Sequence, residues 1–257
     1  SYEYTTAGKL VKVTDAAGSV QTYTVDGNGF NTSQSDWLGN VTRYAYNTQN
    51  QLTSVTDPMG AVTTYSYDEA GNLVLTTDAN QNSVSYTYDA EGRMISMTDG
   101  MGNTWRYEYD GNGRLVRTTD PMGGVVSTAY DKVGRTDSVT DANGGVTTYI
   151  YDGVGNTTSV KDALGKSTKN VYDANGNLIS ATDRNGDTTQ YEYDKNNRLT
   201  RVTDALGGVT SYTYDALGQV TKTVSPAGNE TAAVYDNMGR TTSSVNARGF
   251  ATRYEYD

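Results

Sequence analysis

The chain has 257 residues, of which 35% are hydrophobic, with 22 Tyr, two Phe, two Trp and neither Cys nor His. This composition excludes a thick aliphatic core, a disulfide framework, a thiolate metal site and catalysis by a histidine base. The formal charge of -10 comes mainly from aspartates in turns, so it does not indicate an acidic binding face. No apolar run approaches the roughly 20 residues that cross a bilayer.

A 21-residue unit recurs throughout, and residues 107–127 (YEYDGNGRLVRTTDPMGGVVS) are a representative copy. Repeat position 1 falls at Tyr2, Tyr23, Tyr44, Tyr65, Tyr86, Tyr107, Thr128, Tyr149, Asn170, Tyr191, Tyr212, Ala233 and Tyr254. All 22 tyrosines occupy positions 1 and 3, and 21 of the 30 acidic residues are Asp at positions 4 and 14. This period predicts a single array over residues 1–257, with twelve repeats over 2–253 and the start of a thirteenth. Since no divergent repeat caps either end, we expect a segment of a longer protein.

Each repeat carries two turn signals ten residues apart, as at residues 110–113 and 120–123. Asp in first place and Gly in fourth favour a type I turn in which Gly takes a positive φ. The segments between turns are rich in Val, Thr and Tyr, which predicts strands of about six or seven residues with antiparallel neighbours. The predicted fold is therefore all-β, an antiparallel meander of about 24 short strands.

Alternation along the strands predicts two different faces. Tyr65 and Tyr67 share one face with Thr63, while Thr64 and Ser66 point to the other. Two rows of tyrosines would then run along the sheet and stack across strands. These rows favour an aromatic ladder that holds the sheet together, and a ligand-binding platform is the alternative.

Chemistry-bearing motifs are missing from this pattern. The loop 173–177 (DANGN) resembles part of a calcium loop, but the spacing of an EF-hand is absent and equivalent turn carboxylates would lie about 9.5 Å apart. The acidic residues outside the turn positions share no repeat position; among them are Asp137, Asp187, Glu69, Glu91 and Glu230. We therefore predict no catalytic, cofactor-binding or metal-binding residue, no cofactor and no nucleic-acid module.

The repeat Tyr-x-Tyr-Asp-x-x-Gly-x-Leu-x-x-x-Thr-Asp-x-x-Gly, nearly intact at 65–85, 107–127 and 191–211, closely resembles the YD repeat of rearrangement-hot-spot (RHS) proteins. The resemblance covers the whole chain. Weaker copies of the repeat exist: Val25 replaces a Tyr, Ser225 and Asn246 replace the second Asp, and Asn50 and Asn197 replace the first Gly. Family members include bacterial polymorphic toxins, the B and C components of insecticidal toxin complexes, wall-associated toxins and teneurins.

The resemblance implies a spiralling β-sheet that forms part of a hollow shell around a C-terminal effector. In the family a core segment with an Asp-Pro-x-Gly-Leu motif releases that effector by self-cleavage. Two segments imitate its first four residues, beginning at Asp57 and Asp120, but Ala61 and Gly124 stand in fifth place. Both lie at the second-turn position, so we predict ordinary turns there.

The resemblance thus implies a non-enzymatic structural segment of an RHS shell that encapsulates a toxin effector for delivery to other cells in interbacterial competition. Its partners would be further YD repeats and the effector of the same parent chain, and it would be secreted or exposed on the cell surface. The alternative is a cell-surface adhesion or carbohydrate-binding repeat array in which the tyrosines stack on glycans. Exposed terminal strands also predict edge-to-edge self-association.

Overall fold

The computed structural model describes all 257 residues, and they form strands and turns without a helix. Tertiary contacts divide the chain into two compact units, Ser1–Ser127 and Thr128–Asp257. The strands before the division are β1 (Tyr2–Tyr4), β2 (Leu10–Thr14), β3 (Val20–Val25), β4 (Asn31–Ser35), β5 (Val41–Tyr46), β6 (Leu52–Thr56), β7 (Val62–Tyr67), β8 (Leu73–Thr77), β9 (Ser83–Tyr88), β10 (Met94–Thr98), β11 (Thr104–Tyr109) and β12 (Leu115–Thr119).

The remaining strands are β13 (Val125–Tyr130), which includes the division, followed by β14 (Thr136–Thr140), β15 (Val146–Tyr151), β16 (Thr157–Lys161), β17 (Ser167–Tyr172), β18 (Leu178–Thr182), β19 (Thr188–Tyr193), β20 (Leu199–Thr203), β21 (Val209–Tyr214), β22 (Val220–Val224), β23 (Glu230–Tyr235), β24 (Thr241–Val245) and β25 (Ala251–Arg253). Within each unit the strands pair antiparallel with their sequence neighbours, as β7 does with β6 and β8. The all-β fold and the antiparallel meander are therefore confirmed. The strands are slightly shorter than predicted, with five and six residues in alternation, because the turns occupy five residues each.

The turns form as predicted, and an aspartate closes most of them. In the turn after β11, Asp110 Oδ1 accepts hydrogen bonds from the backbone N–H groups of Asn112 (2.9 Å) and Arg114 (3.0 Å). The Gly113 N–H donates to the Asp110 carbonyl at 2.9 Å, and Gly113 has a φ of 79°. A short polar side chain thus satisfies donors that would otherwise depend on water.

Three residues other than glycine also adopt the positive φ that the turns require. Asn50 and Asn197, which replace the first Gly of their repeats, have φ values of 63° and 59°. Gln81 takes the place of the second Gly and has a φ of 67°. Glutamine carries no marked preference for this region, so the sequence alone does not predict the positive φ of Gln81.

A β-bulge lies next to the first turn of the repeats, and the sequence analysis did not predict it. Between β7 and β8, Ser66 pairs with Leu75 and Tyr67 pairs with Leu73, so Val74 is an extra residue. The bulge places Leu73 directly opposite Tyr67, on the same face. In several repeats the bulged residue is a threonine whose hydroxyl donates across the ladder, as Thr200 does to the Glu192 carbonyl at 3.0 Å.

No hydrophobic side chain is buried, and Ser35, at 7% exposure, is the one buried residue. A single sheet layer explains this, because neither face is covered by a second layer. The prediction that the chain has no thick aliphatic core is confirmed. Stability must therefore come mainly from the backbone ladder, the turns and contacts between neighbouring strands.

Candidate binding surface on the faces of the sheet

The two faces of the sheet differ in charge. The tyrosine face consists of repeat positions 1, 3, 12 and 20, which the pairing of β10 and β12 with β11 places together. None of these positions carries Asp, Glu, Lys or Arg in any repeat. The opposite face, here called the charged face, contains positions 2, 11 and 21, where Glu108, Arg117 and Arg106 are examples. The predicted division of residues between faces is confirmed.

On the charged face the acidic and basic residues pair across strands. Glu108 contacts Arg117 at 3.7 Å, Glu192 contacts Arg201 at 3.4 Å, and Lys12 contacts Glu3 at 2.7 Å. The four side chains of the first two pairs are 46–61% exposed, so each pair contributes little to stability. This face behaves as a solvated surface.

The position-3 tyrosines bind the backbone through their hydroxyl groups. Tyr67 Oη donates to the Leu52 carbonyl at 2.8 Å, and Tyr88 Oη donates to the Leu73 carbonyl at the same distance. The ladder between β6 and β7 ends at Ser54 and Thr64, so the Leu52 carbonyl has no strand partner on that side. The same bond recurs from Tyr46, Tyr109, Tyr151, Tyr172, Tyr193, Tyr214, Tyr235 and Tyr256 to the residue fifteen positions earlier.

The prediction that the tyrosines stack on one another is wrong. Equivalent tyrosines lie two strands apart, about 9.6 Å, whereas stacked rings need centroids roughly 4.5–7 Å apart. The observed ring-to-ring contact joins Phe30 and Tyr46, at 5.3 Å and an interplanar angle of 42°. The position-3 row stabilises the sheet through its hydroxyl groups rather than through ring stacking.

Arginines of the first turn connect successive repeats. Arg198 forms an ion pair with Asp194 at 2.6 Å, lies over the Tyr214 ring at 4.8 Å, and donates from Nη1 to the Asp215 carbonyl at 2.9 Å. The stacking recurs with Arg93 on Tyr109, Arg135 on Tyr151 and Arg240 on Tyr256. The sequence signal for this contact was the recurring Asp-x-x-x-Arg spacing, which the sequence analysis did not use.

The first-turn aspartates are held in the ionised form by the same contacts. Hydrogen bonds from the Arg114 side chain and backbone lower the pKa of the Asp110 carboxyl below its usual value. Asn72 does the same for Asp68, since its side-chain amide donates to Asp68 Oδ2 at 3.0 Å. These carboxylates are structural acceptors that are already occupied, which leaves little scope for acid–base chemistry.

The position-1 tyrosines differ from those at position 3. The hydroxyl groups of Tyr44, Tyr65, Tyr86 and Tyr107 make no hydrogen bond within the chain, and none of them is a buried unsatisfied atom. Their rings are half-buried against the sheet. This row therefore has partly exposed ring surface and hydroxyl groups without a partner in the chain.

Other predicted site features can now be placed. Asp57 and Asp120 lie in ordinary second turns, where the Asp57 N–H donates to the Ala61 carbonyl and the Asp120 N–H to the Gly124 carbonyl, both at 2.9 Å. Their interpretation as turns is confirmed. No three His, Cys, Asp or Glu side chains lie close enough together to hold a metal ion. No helix is present that could span a membrane.

A family model described as RHS Repeat matches residues 46–83, 70–100, 88–125, 130–167, 172–208 and 193–230. These segments together span more than half of the chain. The chain belongs to the RHS repeat family. The match begins inside the third repeat, and Tyr65, Tyr86 and Tyr107 lie within it.

Solved structures of toxin-complex proteins share the fold of this RHS repeat chain. The crystal structure of TcdB2-TccC3-TEV is 17% identical with a TM-score of 0.65, and it covers 100% of this chain. TcdB2-TccC3 without the hypervariable C-terminal region is also 17% identical, with a TM-score of 0.55 and the same coverage. The RHS chain spans only 17% and 18% of those two proteins. Among curated proteins no match was found.

Proposed function

We propose that this chain is a non-enzymatic wall segment of an RHS shell that encloses a C-terminal toxin effector of the same parent protein. Further RHS repeats would complete the shell, and the parent would be exported for delivery to other cells. The observation that carries this proposal is the single-layer sheet with two unlike faces, of which one has no charged residue at its strand positions 1, 3, 12 and 20 and the other has charged residues at positions 2, 11 and 21. Membership of the RHS family and the fold shared with TcdB2-TccC3 proteins support it.

The difference between the faces suits a wall that separates two environments. The charged side chains of Glu108, Arg117 and Arg201 remain hydrated when they face water. In an enclosed, partly dehydrated space they would lose solvation free energy. The tyrosine face places no charge in its strands, so it can border a protein cargo without that cost. We therefore assign the tyrosine face to the interior of the shell and the charged face to solvent.

A non-enzymatic role is supported by what the polar groups already do. Turn aspartates such as Asp110 and Asp173 each accept two backbone N–H groups on Oδ1. The chain has no histidine or cysteine that could act as a base or nucleophile beside its many Ser and Thr hydroxyls. The polar groups hold the wall together, and any toxic activity would reside in the effector.

Cysteine accessibility tests which face lies inside. The chain contains no cysteine, so Thr63→Cys on the tyrosine face and Thr64→Cys on the charged face each introduce one defined thiol. In the 257-residue chain both thiols should react with a large polyethylene-glycol maleimide. In the longer natural protein, Thr64→Cys should react and Thr63→Cys should be protected until the shell is denatured. Equal labelling of both sites in the longer protein would contradict the proposal.

A further inference from the structure

The free tyrosine row, defined as Tyr44, Tyr65, Tyr86 and Tyr107, has a regular spacing that can be compared with the repeat length of an extended ligand. These residues occupy position 1 of four consecutive repeats, so neighbours are separated by two strands, about 9.6 Å. A polyproline II helix has three residues per turn and rises about 3.1 Å per residue, which gives a period near 9.3 Å. A polyproline II segment lying across the strands would therefore present an equivalent residue to each tyrosine in turn.

The hydrogen-bonding groups of the row also fit such a segment. A proline-rich polyproline II helix has free carbonyl acceptors, few N–H donors and no internal hydrogen bonds. The four tyrosine hydroxyls are free donors that are not buried, and they lie beside half-buried rings. Aromatic grooves are the usual surface for proline-rich segments, because the preformed helix loses little entropy when it binds.

Charge complementarity selects the same partner. The strands of the tyrosine face carry no charge at positions 1, 3, 12 and 20, and Arg93, which lies over the Tyr109 ring, is already paired with Asp89. A charged segment would therefore lose solvation without gaining an unpaired counter-ion. An uncharged proline-rich segment has no such cost. A glycan, in contrast, has many hydroxyl donors, and the acceptors that these strand positions offer are neutral hydroxyl and amide oxygens rather than carboxylates.

The geometry points to a binding site for an uncharged, proline-rich polypeptide segment in the polyproline II conformation along Tyr44, Tyr65, Tyr86 and Tyr107. The row spans about 29 Å, the length of roughly nine residues of such a helix. Rings supply the contact surface, and hydroxyl groups supply one hydrogen bond per helical turn. This site does not depend on whether the chain encloses an effector.

The test uses an end-capped nonaproline peptide and the 257-residue chain. Calorimetry measures the affinity, and the fluorescence of Trp105, which lies on the tyrosine face beside Tyr107, reports the site. The matched ligand is a Gly-Ser peptide of equal length, and a linear glucose hexamer represents glycans. We expect nonaproline to bind with a Kd below about 1 mM and the other two to bind at least tenfold more weakly.

Paired variants separate a binding role from a structural one. Tyr65→Phe with Tyr86→Phe removes two free hydroxyls and should weaken nonaproline roughly 25-fold, about fivefold for each hydroxyl. Tyr67→Phe with Tyr88→Phe removes hydroxyls that are bound to backbone carbonyls and should change the affinity less than twofold. Glu108→Gln on the charged face is a second control that leaves both rows intact.

Three outcomes would overturn the inference. The first is nonaproline binding no tighter than the Gly-Ser peptide. The second is equal loss of affinity in the position-1 variant and in either control. The third is binding of the glucose hexamer without binding of nonaproline, which would instead favour the adhesion alternative.

Discussion

The two tyrosine rows of the sheet lie two positions apart on the same strands, yet their hydroxyl groups differ in what they bind. Tyr67 donates its hydroxyl to the Leu52 carbonyl at 2.8 Å, where the strand ladder has ended. Tyr65 lies next along that face and leaves its hydroxyl free. The difference teaches that the position of a residue relative to the end of a hydrogen-bond ladder decides whether it stabilises the fold or remains available to a partner.

The largest expected effect comes from removing hydroxyl groups from one row at a time. Replacing Tyr46, Tyr67, Tyr88 and Tyr109 by Phe leaves four backbone carbonyls without a partner, and we expect a loss of roughly 4 kcal/mol in unfolding free energy. Replacing Tyr44, Tyr65, Tyr86 and Tyr107 by Phe should cost less than about 1 kcal/mol. Urea unfolding of the two variants measures this, and equal destabilisation would remove the distinction between the rows.

The turn that follows the position-3 tyrosine should also lose stability when its glycine with a positive φ is replaced. Gly155 has a φ of 106° and Gly153 does not have a positive φ, while an added Cβ at either meets nothing within 4 Å. Gly155→Ala should therefore cost about 1–2 kcal/mol through backbone strain, and Gly153→Ala should be close to neutral. Thermal unfolding compares them, and a neutral Gly155→Ala would show that the turn does not need its left-handed residue.

A smaller difference in stability is expected between two arginines, Arg198 beside the tyrosine face and Arg201 on the charged face. Arg198 contacts Asp194, the Tyr214 ring and the Asp215 carbonyl, and its side chain is 27% exposed. Arg201, three residues later, pairs only with Glu192 on the charged face and is 46% exposed. We expect Arg198→Ala to destabilise by about 1 kcal/mol and Arg201→Ala by a few tenths. Chemical denaturation checks this, and the reverse order would contradict a connecting role for the first-turn arginine.

The smallest effect should appear at alkaline pH. Burial, followed by the neighbouring tyrosine and aspartate charges, raises the pKa of the Tyr46, Tyr88 and Tyr193 hydroxyls above the usual value. A raised folded-state pKa means that the stabilisation is complete below about pH 10 and is lost as the pH rises through the higher folded value. Unfolding midpoints measured as the pH is raised through this range should fall for the parent chain. The fall should be smaller for the position-3 Phe variant than for the position-1 Phe variant, and identical falls would argue against the buried hydroxyls as its cause.

Much of the fold is determined by local sequence. The 21-residue period, the turns at Asp110–Gly113 and Asp120–Gly123 and the alternation in Tyr65, Ser66 and Tyr67 predict an antiparallel meander with two unlike faces. The structure has this meander and these faces. These features depend on the backbone preferences of single residues and on a two-residue periodicity, which are visible without knowledge of distant contacts.

Only the tertiary structure shows which tyrosine hydroxyls form hydrogen bonds within the sheet and whether the rings stack. The extra residue Val74 between β7 and β8 brings Leu73 opposite Tyr67, and the early end of the β6–β7 ladder leaves the Leu52 carbonyl for Tyr67. Strand spacing keeps equivalent tyrosines too far apart to stack, which is why the predicted aromatic ladder was wrong. Register and spacing between strands are properties of the assembled sheet, so the sequence pattern placed the tyrosines on one face but did not show which hydroxyls would remain free.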